Sequence, residues 1–247
     1  HTIGGEQQAF VAHCVHTKDA VPGRYGVLGV FFEIGKASTF LDQFVSVLPG
    51  KVVRRLASGG GTGVSQLMDF SALVEGLDLS KYWTYDGSLT TPPCSEVVDW
   101  YPLMDKATMT TAQLDKFKHA IGWSTGSTPG NYRPPQQLNG RTIDGCDEDP
   151  WYPYVADSWS KSVHQSAETC GTGNFQSPVD LPKCSEVAAR TPIAVKYGLR
   201  EAVPQNTGHT IQLDLVAPLQ AKMLAGGASY TLVQCHFHYG SEHTIGG

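Results

Sequence analysis

A β-rich α+β fold is predicted by three features of this 247-residue sequence. Residues 9–16, 27–34, 210–216 and 230–239 carry strand patterns, either alternating or continuously apolar. Helical spacing is confined to two short stretches, residues 37–48 and 110–121. The length suffices for one large domain with a real core, and single-domain β folds of this size are common.

Taken in order, residues 9–16 (A-F-V-A-H-C-V-H) put Phe10, Ala12, Cys14 and His16 on one strand face and Val11, His13 and Val15 on the other. His16 is expected as a hydrogen-bonded core histidine. Residues 27–34 read as a buried strand. In residues 37–48, Phe40, Leu41, Phe44, Val45 and Leu48 recur at helical spacing, stopped by Pro49 and Gly50. Residues 58–63 (S-G-G-G-T-G) form a loop with no phosphate role, since no Lys-Ser/Thr follows. Thr110 and Gln113 form a capping box. Leu114, Phe117 and Ile121 make the buried stripe of the helix behind it, Gly122 ends that helix, and His119 lies off the stripe in solvent. Residues 144–150 (D-G-C-D-E-D-P) suit an exposed linker. In residues 210–216, Ile211, Leu213 and Leu215 face one way.

The last stretch bears the chemistry. On a strand over residues 230–239, Gln234, His236 and His238 share a face, with Leu232 preceding them there, and Val233, Cys235, Phe237 and Tyr239 line the other. Two imidazoles at i and i+2 reach one metal from one rigid backbone, and Gln234 is placed to orient a ligand ring. Neutral imidazole suits zinc, and a catalytic zinc needs a third protein ligand from elsewhere. The plainer reading of a bare H-x-H is two histidines on a polar face.

Composition excludes other classes. Apolar content of 40% and aromatic content of 10% fit a globular protein, and a net charge of −5 without a dense Lys/Arg patch does not suggest a nucleic-acid binder. No apolar run approaches the ~18 residues of a membrane span. No signal peptide is visible, although an excerpt from a longer protein is not expected to carry one. Six cysteines, Cys14, Cys94, Cys146, Cys170, Cys184 and Cys235, are compatible with secretion and disulfides without fixing connectivity.

The run H-F-H-Y-G-S-E-H-T-I at residues 236–245 resembles the metal-binding strand of the α-class carbonic anhydrases. The resemblance covers nearly the whole chain, in rearranged order. The family's Trp/Tyr-rich start lies at residues 151–159, followed by Gln176-Ser177-Pro178-Val179-Asp180 and then the H-x-H strand, which ends the chain. The third-histidine segment instead opens the chain at residues 9–16, followed by Thr90-Thr91-Pro92-Pro93 and Arg133-Pro134-Pro135-Gln136. The order is that of a circular permutation: one domain, 1–247, with residues 1–143 corresponding to the family's C-terminal part, 144–150 to a junction and 151–247 to its N-terminal part. H-T-I-G-G occurs at residues 1–5 and again at 243–247. This repetition favours one period of a tandem-duplicated protein, with an engineered permutant as the alternative.

The resemblance implies a large, twisted, mostly antiparallel central sheet with short peripheral helices, and zinc-dependent reversible hydration of carbon dioxide. It implies His13, His236 and His238 as zinc ligands. Thr90 would orient the attacking oxygen and donate to Glu242. Thr91 would contact substrate or product, and Val15, Val27, Leu89, Val98 and Trp100 would line the carbon dioxide pocket. His209 would relay the proton to buffer, and the carbonyl of Asn131 would support a ligand histidine. Cys94–Cys170 is the disulfide it implies; Cys146 and Cys184 are a candidate second bridge. Cys14 and Cys235, pointing away from the metal, are expected as buried thiols rather than a bridge.

Departures from the family pattern are Val11 where a Glu usually stands, Asp86 where Pro is common, and Thr207 and Gln212 near positions where Asn is common. Residues 17–26 form a loop about ten residues shorter than in familiar cytosolic members as aligned, which should open one rim of the cleft. A non-catalytic binding module is the alternative function, with Val11 its best support, and a structural zinc site lacks a fourth ligand. Substrate is the small molecule, with neither nucleic acid nor a membrane-spanning segment involved. Neighbouring repeats or a swapped copy can complete a site whose ligands lie at opposite chain ends. A secreted, extracellular or periplasmic-type oxidising location is expected.

Overall fold

The computed structural model describes residues 2–3, 6–48, 64–121, 130–146, 168–184, 187, 190–217 and 220–240. Its elements in chain order are β1 (Thr2–Ile3), β2 (Glu6–Gln7), β3 (Phe10–Lys18), β4 (Tyr25–Ile34), α1 (Thr39–Asp42), a 3-10 turn (Val45–Val47), β5 (Gln66–Asp69), a second 3-10 turn (Phe70–Leu73), β6 (Tyr85–Gly87), β7 (Val98–Pro102), β8 (Ala107–Met109) and α2 (Thr111–Ile121). Then follow α3 (Glu168–Thr172), β9 (Asp180–Leu181), β10 (Ala194–Lys196), β11 (Leu199–Asn206), β12 (Ile211–Leu215), β13 (Lys222–Ala225) and β14 (Ala228–Tyr239).

Among the described residues, eleven strands form one sheet on the path β5-β11-β12-β14-β3-β4-β7-β6, with β13 beside β14, β10 beside β13 and β8 beside β4. Pairing is antiparallel except that β4 runs parallel to β7 and β8. A small sheet, β2-β1-β9, stands apart. This is the β-rich mixed architecture with a few short helices that the patterns predict. Strands β3 and β14, one from each end of the chain, are antiparallel neighbours at its centre.

Side-chain alternation splits the core into two apolar layers. Phe10, Ala12, Cys14, Leu28, Val30 and Phe32 face the larger one, under α1 and α2. There Phe10 lies 4.8 Å from Phe117 and 5.7 Å from Phe237 between ring centroids. Val11, Val15, Val27, Phe31, Val98 and Trp100 face the smaller layer. Helix α2 starts at the expected capping box: Gln113 N–H donates to Thr110 Oγ1 at 3.2 Å, and Thr110 N–H to Gln113 Oε1 at 3.0 Å. Leu114, Phe117 and Ile121 are buried and His119 is exposed. His16 is a fully buried core histidine, held by the Gly26 carbonyl at 3.1 Å and the Tyr197 hydroxyl at 2.8 Å.

Four expectations change. Residues 37–48 do not make one helix: Phe44, at φ −137, separates the four-residue α1 from the 3-10 turn, although Phe40, Leu41, Phe44 and Val45 are all buried. Leu232 does not share a face with Gln234, because a register shift between them leaves Val233 as an extra residue and turns Leu232 into the larger core. Cys14 and Cys235 are not free thiols but a disulfide, since β3–β14 register sets them directly opposite with Cα atoms 4.0 Å apart. Within the proposed linker, Asp144 is exposed, but it exchanges backbone hydrogen bonds with Thr84, Gly145 is buried, and Cys146 is bonded to Cys184. Residues 147–150 of that run, the 58–63 loop and the start at 151–159 lie outside the described residues.

Strand β11 carries no clear sequence signal because Pro204 interrupts it. Pro204 is tolerated because β11 pairs with β5 only over residues 199–202, so beyond them, among the described residues, it has a strand neighbour on one side alone. Among the described residues, no helix is long and apolar enough to cross a membrane.

Candidate metal centre

Strand alternation and cross-strand register together build the site. Gln234, His236 and His238 project from one face of β14, and β3 sets His13 in register with His236. Ring centroids lie 5.4 Å apart for His13–His236, 4.8 Å for His13–His238 and 5.1 Å for His236–His238. One nitrogen from each ring falls within 4.8 Å of the others, and among the described residues this is the one such group of three potential ligands. His13 and His238 are fully buried, and His236 is half-buried. The three rings meet within a single chain.

Polar neighbours orient two of the rings. The Asn131 carbonyl lies 2.7 Å from His238 Nδ1. A carbonyl oxygen can only accept, so Nδ1 carries the proton and Nε2 keeps its lone pair. Gln234 Oε1 does the same for His236 Nδ1 at 3.0 Å. The Asn131 side chain locks this arrangement: Nδ2 donates to the carbonyls of His209 at 2.9 Å and Phe237 at 3.1 Å, and Oδ1 accepts from Tyr239 N–H at 2.7 Å. His13 rests edge-on against Trp100 at 4.9 Å, and Val11, two residues before it, is fully buried in apolar surroundings.

The electrostatics favour neutral rings at His236 and His238. Burial lowers His238 to about 3, with the Asn131 carbonyl opposing and His209 assisting. Burial, then the neighbouring His238 and His209, hold His236 well below the ordinary imidazole value. Three buried or half-buried imidazoles with converging ring nitrogens suit a divalent first-row metal, and three protein donors leave a position open toward the cleft.

That cleft, of about 540 Å³, opens over the rings. Val15, Val27, Leu89 and Trp100 form its apolar wall, and Thr90, Thr91 and Pro92 its polar edge. Thr207, His209 and Gln212 also line it, with the His209 ring 6.4 Å from that of His238. Val98 is fully buried in the apolar layer behind the wall and is not among the lining residues. Glu242 lies outside the described residues.

The loop carrying Thr90 is held from segments distant in sequence. Ser88 N–H donates to Ser177 Oγ at 3.0 Å and Ser177 N–H to Ser88 Oγ at 2.8 Å, while Trp100 Nε1 donates to the Ser88 carbonyl at 3.1 Å. Gly87 is required beside them, since a Cβ there would lie 2.1 Å from Ser177 Oγ. Cys94–Cys170 ties the far side of the loop. Arg133, fully buried, donates to the Ser177 carbonyl and the Cys170 carbonyl, each at 2.7 Å. Thr210 escaped the sequence reading: its hydroxyl accepts from Phe237 N–H at 3.2 Å, between the two ligand residues of β14. Only its place beside His209 could have flagged it. The roles of Ser88, Ser177 and Arg133 were hidden because Ser88 and Ser177 lie 89 positions apart and the two carbonyls that Arg133 binds lie 44 and 37 positions from it.

A model of the family described as eukaryotic-type carbonic anhydrase matches residues 1–145 and 155–247. A carbonic anhydrase of Klebsiella pneumoniae is 39% identical over 144 residues, covering 58% of this chain and 52% of that protein. Human carbonic anhydrase 3 is 30% identical over 156 residues, covering 58% and 57%. The chain thus spans about half the length of the curated relatives it matches. Among solved structures, the α-carbonic anhydrase of Thermovibrio ammonificans in complex with sulfanilamide is similar at 33% identity and TM-score 0.43, over 56% of this chain and 54% of that one.

Proposed function

The chain belongs to the eukaryotic-type carbonic anhydrase family, and on that premise we propose that it catalyses the reversible hydration of carbon dioxide to bicarbonate and a proton. The observation that carries this reading is the convergence of His13, His236 and His238 in a largely apolar cleft. These three histidines would hold a zinc ion. Bound there, zinc supplies Lewis acidity that makes water a nucleophile near neutral pH.

The chain's own residues do the rest. Val15, Val27, Leu89 and Trp100 provide an apolar surface on which carbon dioxide desolvates, and Val98 supports that surface from behind. Thr90 would accept a hydrogen bond from the attacking oxygen and donate one from its own hydroxyl to Glu242, and Thr91 would contact the carbon dioxide or the bicarbonate product. Gln234 and the Asn131 carbonyl hold Nδ1 of His236 and His238 and so would leave Nε2 of each ring to bind the metal. His209, which lines the cleft, carries the released proton to buffer. The assay is carbon dioxide hydration with and without a zinc chelator: activity that chelation abolishes and zinc restores supports the reading. An inert protein with zinc bound points to a binding module instead.

The family match falls in two segments that omit residues 146–154. That break supports one permuted domain, with residues 1–143 and 151–247 as its two parts and 144–150 as the junction. Three disulfides account for all six cysteines, which supports a secreted or otherwise oxidising location.

A further inference from the structure

The ladder that joins β3 to β14 carries all three imidazoles, and it is irregular beside them. Thr231 pairs with Thr17 and Leu232 with His16, but the next pair is Gln234 with Val15, so Val233 has no partner position on β3. Such an extra residue is left unpaired and disrupts the ladder locally. On a strand, a one-residue slip turns every side chain to the opposite face. Here a slip would carry His236 and His238 into the larger apolar layer and present Cys235 and Phe237 to the cleft.

Immediately past the bulge lies the rung Cys235–Cys14, and the next rung is His236–His13. The first is covalent, with Cα atoms 4.0 Å apart. That spacing is nearest to the antiparallel pair that exchanges no backbone hydrogen bonds. The disulfide therefore closes a rung of the kind that exchanges no backbone hydrogen bonds, between the irregularity and the imidazoles. Both sulfurs are fully buried on the face away from the cleft, so they touch neither metal nor substrate.

We infer that Cys14 and Cys235 are positioning residues for the metal centre: their disulfide locks the one β3–β14 register in which His13 faces His236. This rests on the proposal that the three histidines hold zinc. The lock joins residues 221 positions apart, so local sequence preference cannot substitute for it.

The test is zinc affinity by chelator competition, with the absorption spectrum of the cobalt(II)-substituted protein as a second readout. Variant C14V/C235V fills the space with strand-favouring side chains, and C146V/C184V removes a bridge elsewhere. C14V/C235V should bind zinc about 10-fold or more weakly, the scale for losing a group that positions a ligand, and should alter the cobalt spectrum; C146V/C184V should do neither. Wild-type protein that takes up no zinc would sink the metal reading itself. Wild-type uptake with equal affinity and an identical spectrum in C14V/C235V overturns the register lock. Should C14V/C235V not fold, wild-type protein is equilibrated in thiol–disulfide buffers with zinc absent or clamped by a metal buffer, and thiols are mapped by mass spectrometry. Coupling is reciprocal, so zinc should shift the Cys14–Cys235 midpoint by about 30 mV for each tenfold in affinity and leave Cys146–Cys184 unmoved. Identical midpoints with and without zinc overturn the inference.

Discussion

Asn131→Ala tests how the site is held. The side chain is 3% exposed and makes three hydrogen bonds, to the carbonyls of His209 and Phe237 and from the N–H of Tyr239. Truncation removes all three. The Phe237 carbonyl retains a contact from the Thr210 hydroxyl, so its loss is near the ordinary net value of about 1 kcal/mol. The Tyr239 N–H and the His209 carbonyl sit in half-buried residues, so each loss falls toward the lower end of the roughly 1–3 kcal/mol range for a stranded polar group. The total is about 3 kcal/mol, or roughly 6–12 °C in Tm for a domain of this size. The backbone carbonyl that orients His238 survives the substitution but loses its anchor, so zinc affinity should also fall about tenfold. Urea unfolding measures the first effect and chelator competition on folded protein the second. A stability loss below about 1 kcal/mol refutes the hydrogen-bond reasoning. Full destabilisation with unchanged zinc affinity refutes the claim that Asn131 aims His238.

His209→Ala should slow turnover about 100-fold in weak buffer, the low end for a positioned proton-transfer group, and recover with added imidazole; buffer-independent rates would exclude a relay at that position. Val11→Glu places a carboxylate on the cleft face two residues before His13 and should tighten zinc about tenfold at a cost in stability, because the site is fully buried and apolar; unchanged affinity would show that the side chain does not reach the ring. Burial lowers His16 to about 4, with the Gly26 carbonyl opposing. A depressed histidine leaves the folded state binding fewer protons than the unfolded chain, so its contribution is intact above pH ~6.5 and is lost as pH falls toward 4, by about 3 kcal/mol. Urea midpoints of zinc-loaded protein between pH 7 and 4 should fall more steeply in wild type than in His16→Gln, and equal slopes would refute the assignment.

Much of the fold and of the candidate site was legible along the chain. Period-two alternation assigned His236, His238 and Gln234 to one face and Cys235 and Phe237 to the other, and the structure agrees. The capping box at Thr110 and Gln113 started a helix where expected. Both readings involve residues two or three positions apart, where backbone geometry alone fixes which side chains meet. The same local logic failed at Leu232, because a bulge is decided by how two strands fit and not by either strand alone.

The sequence by itself determined which residues could be ligands and which way each would point from its own strand. Only the tertiary structure decided that the first long strand and the last pair directly and that Cys14 meets Cys235. The physical reason is that alternation is a property of one backbone, while register is a relation between two, set by the packing of layers whose members lie up to 221 residues apart.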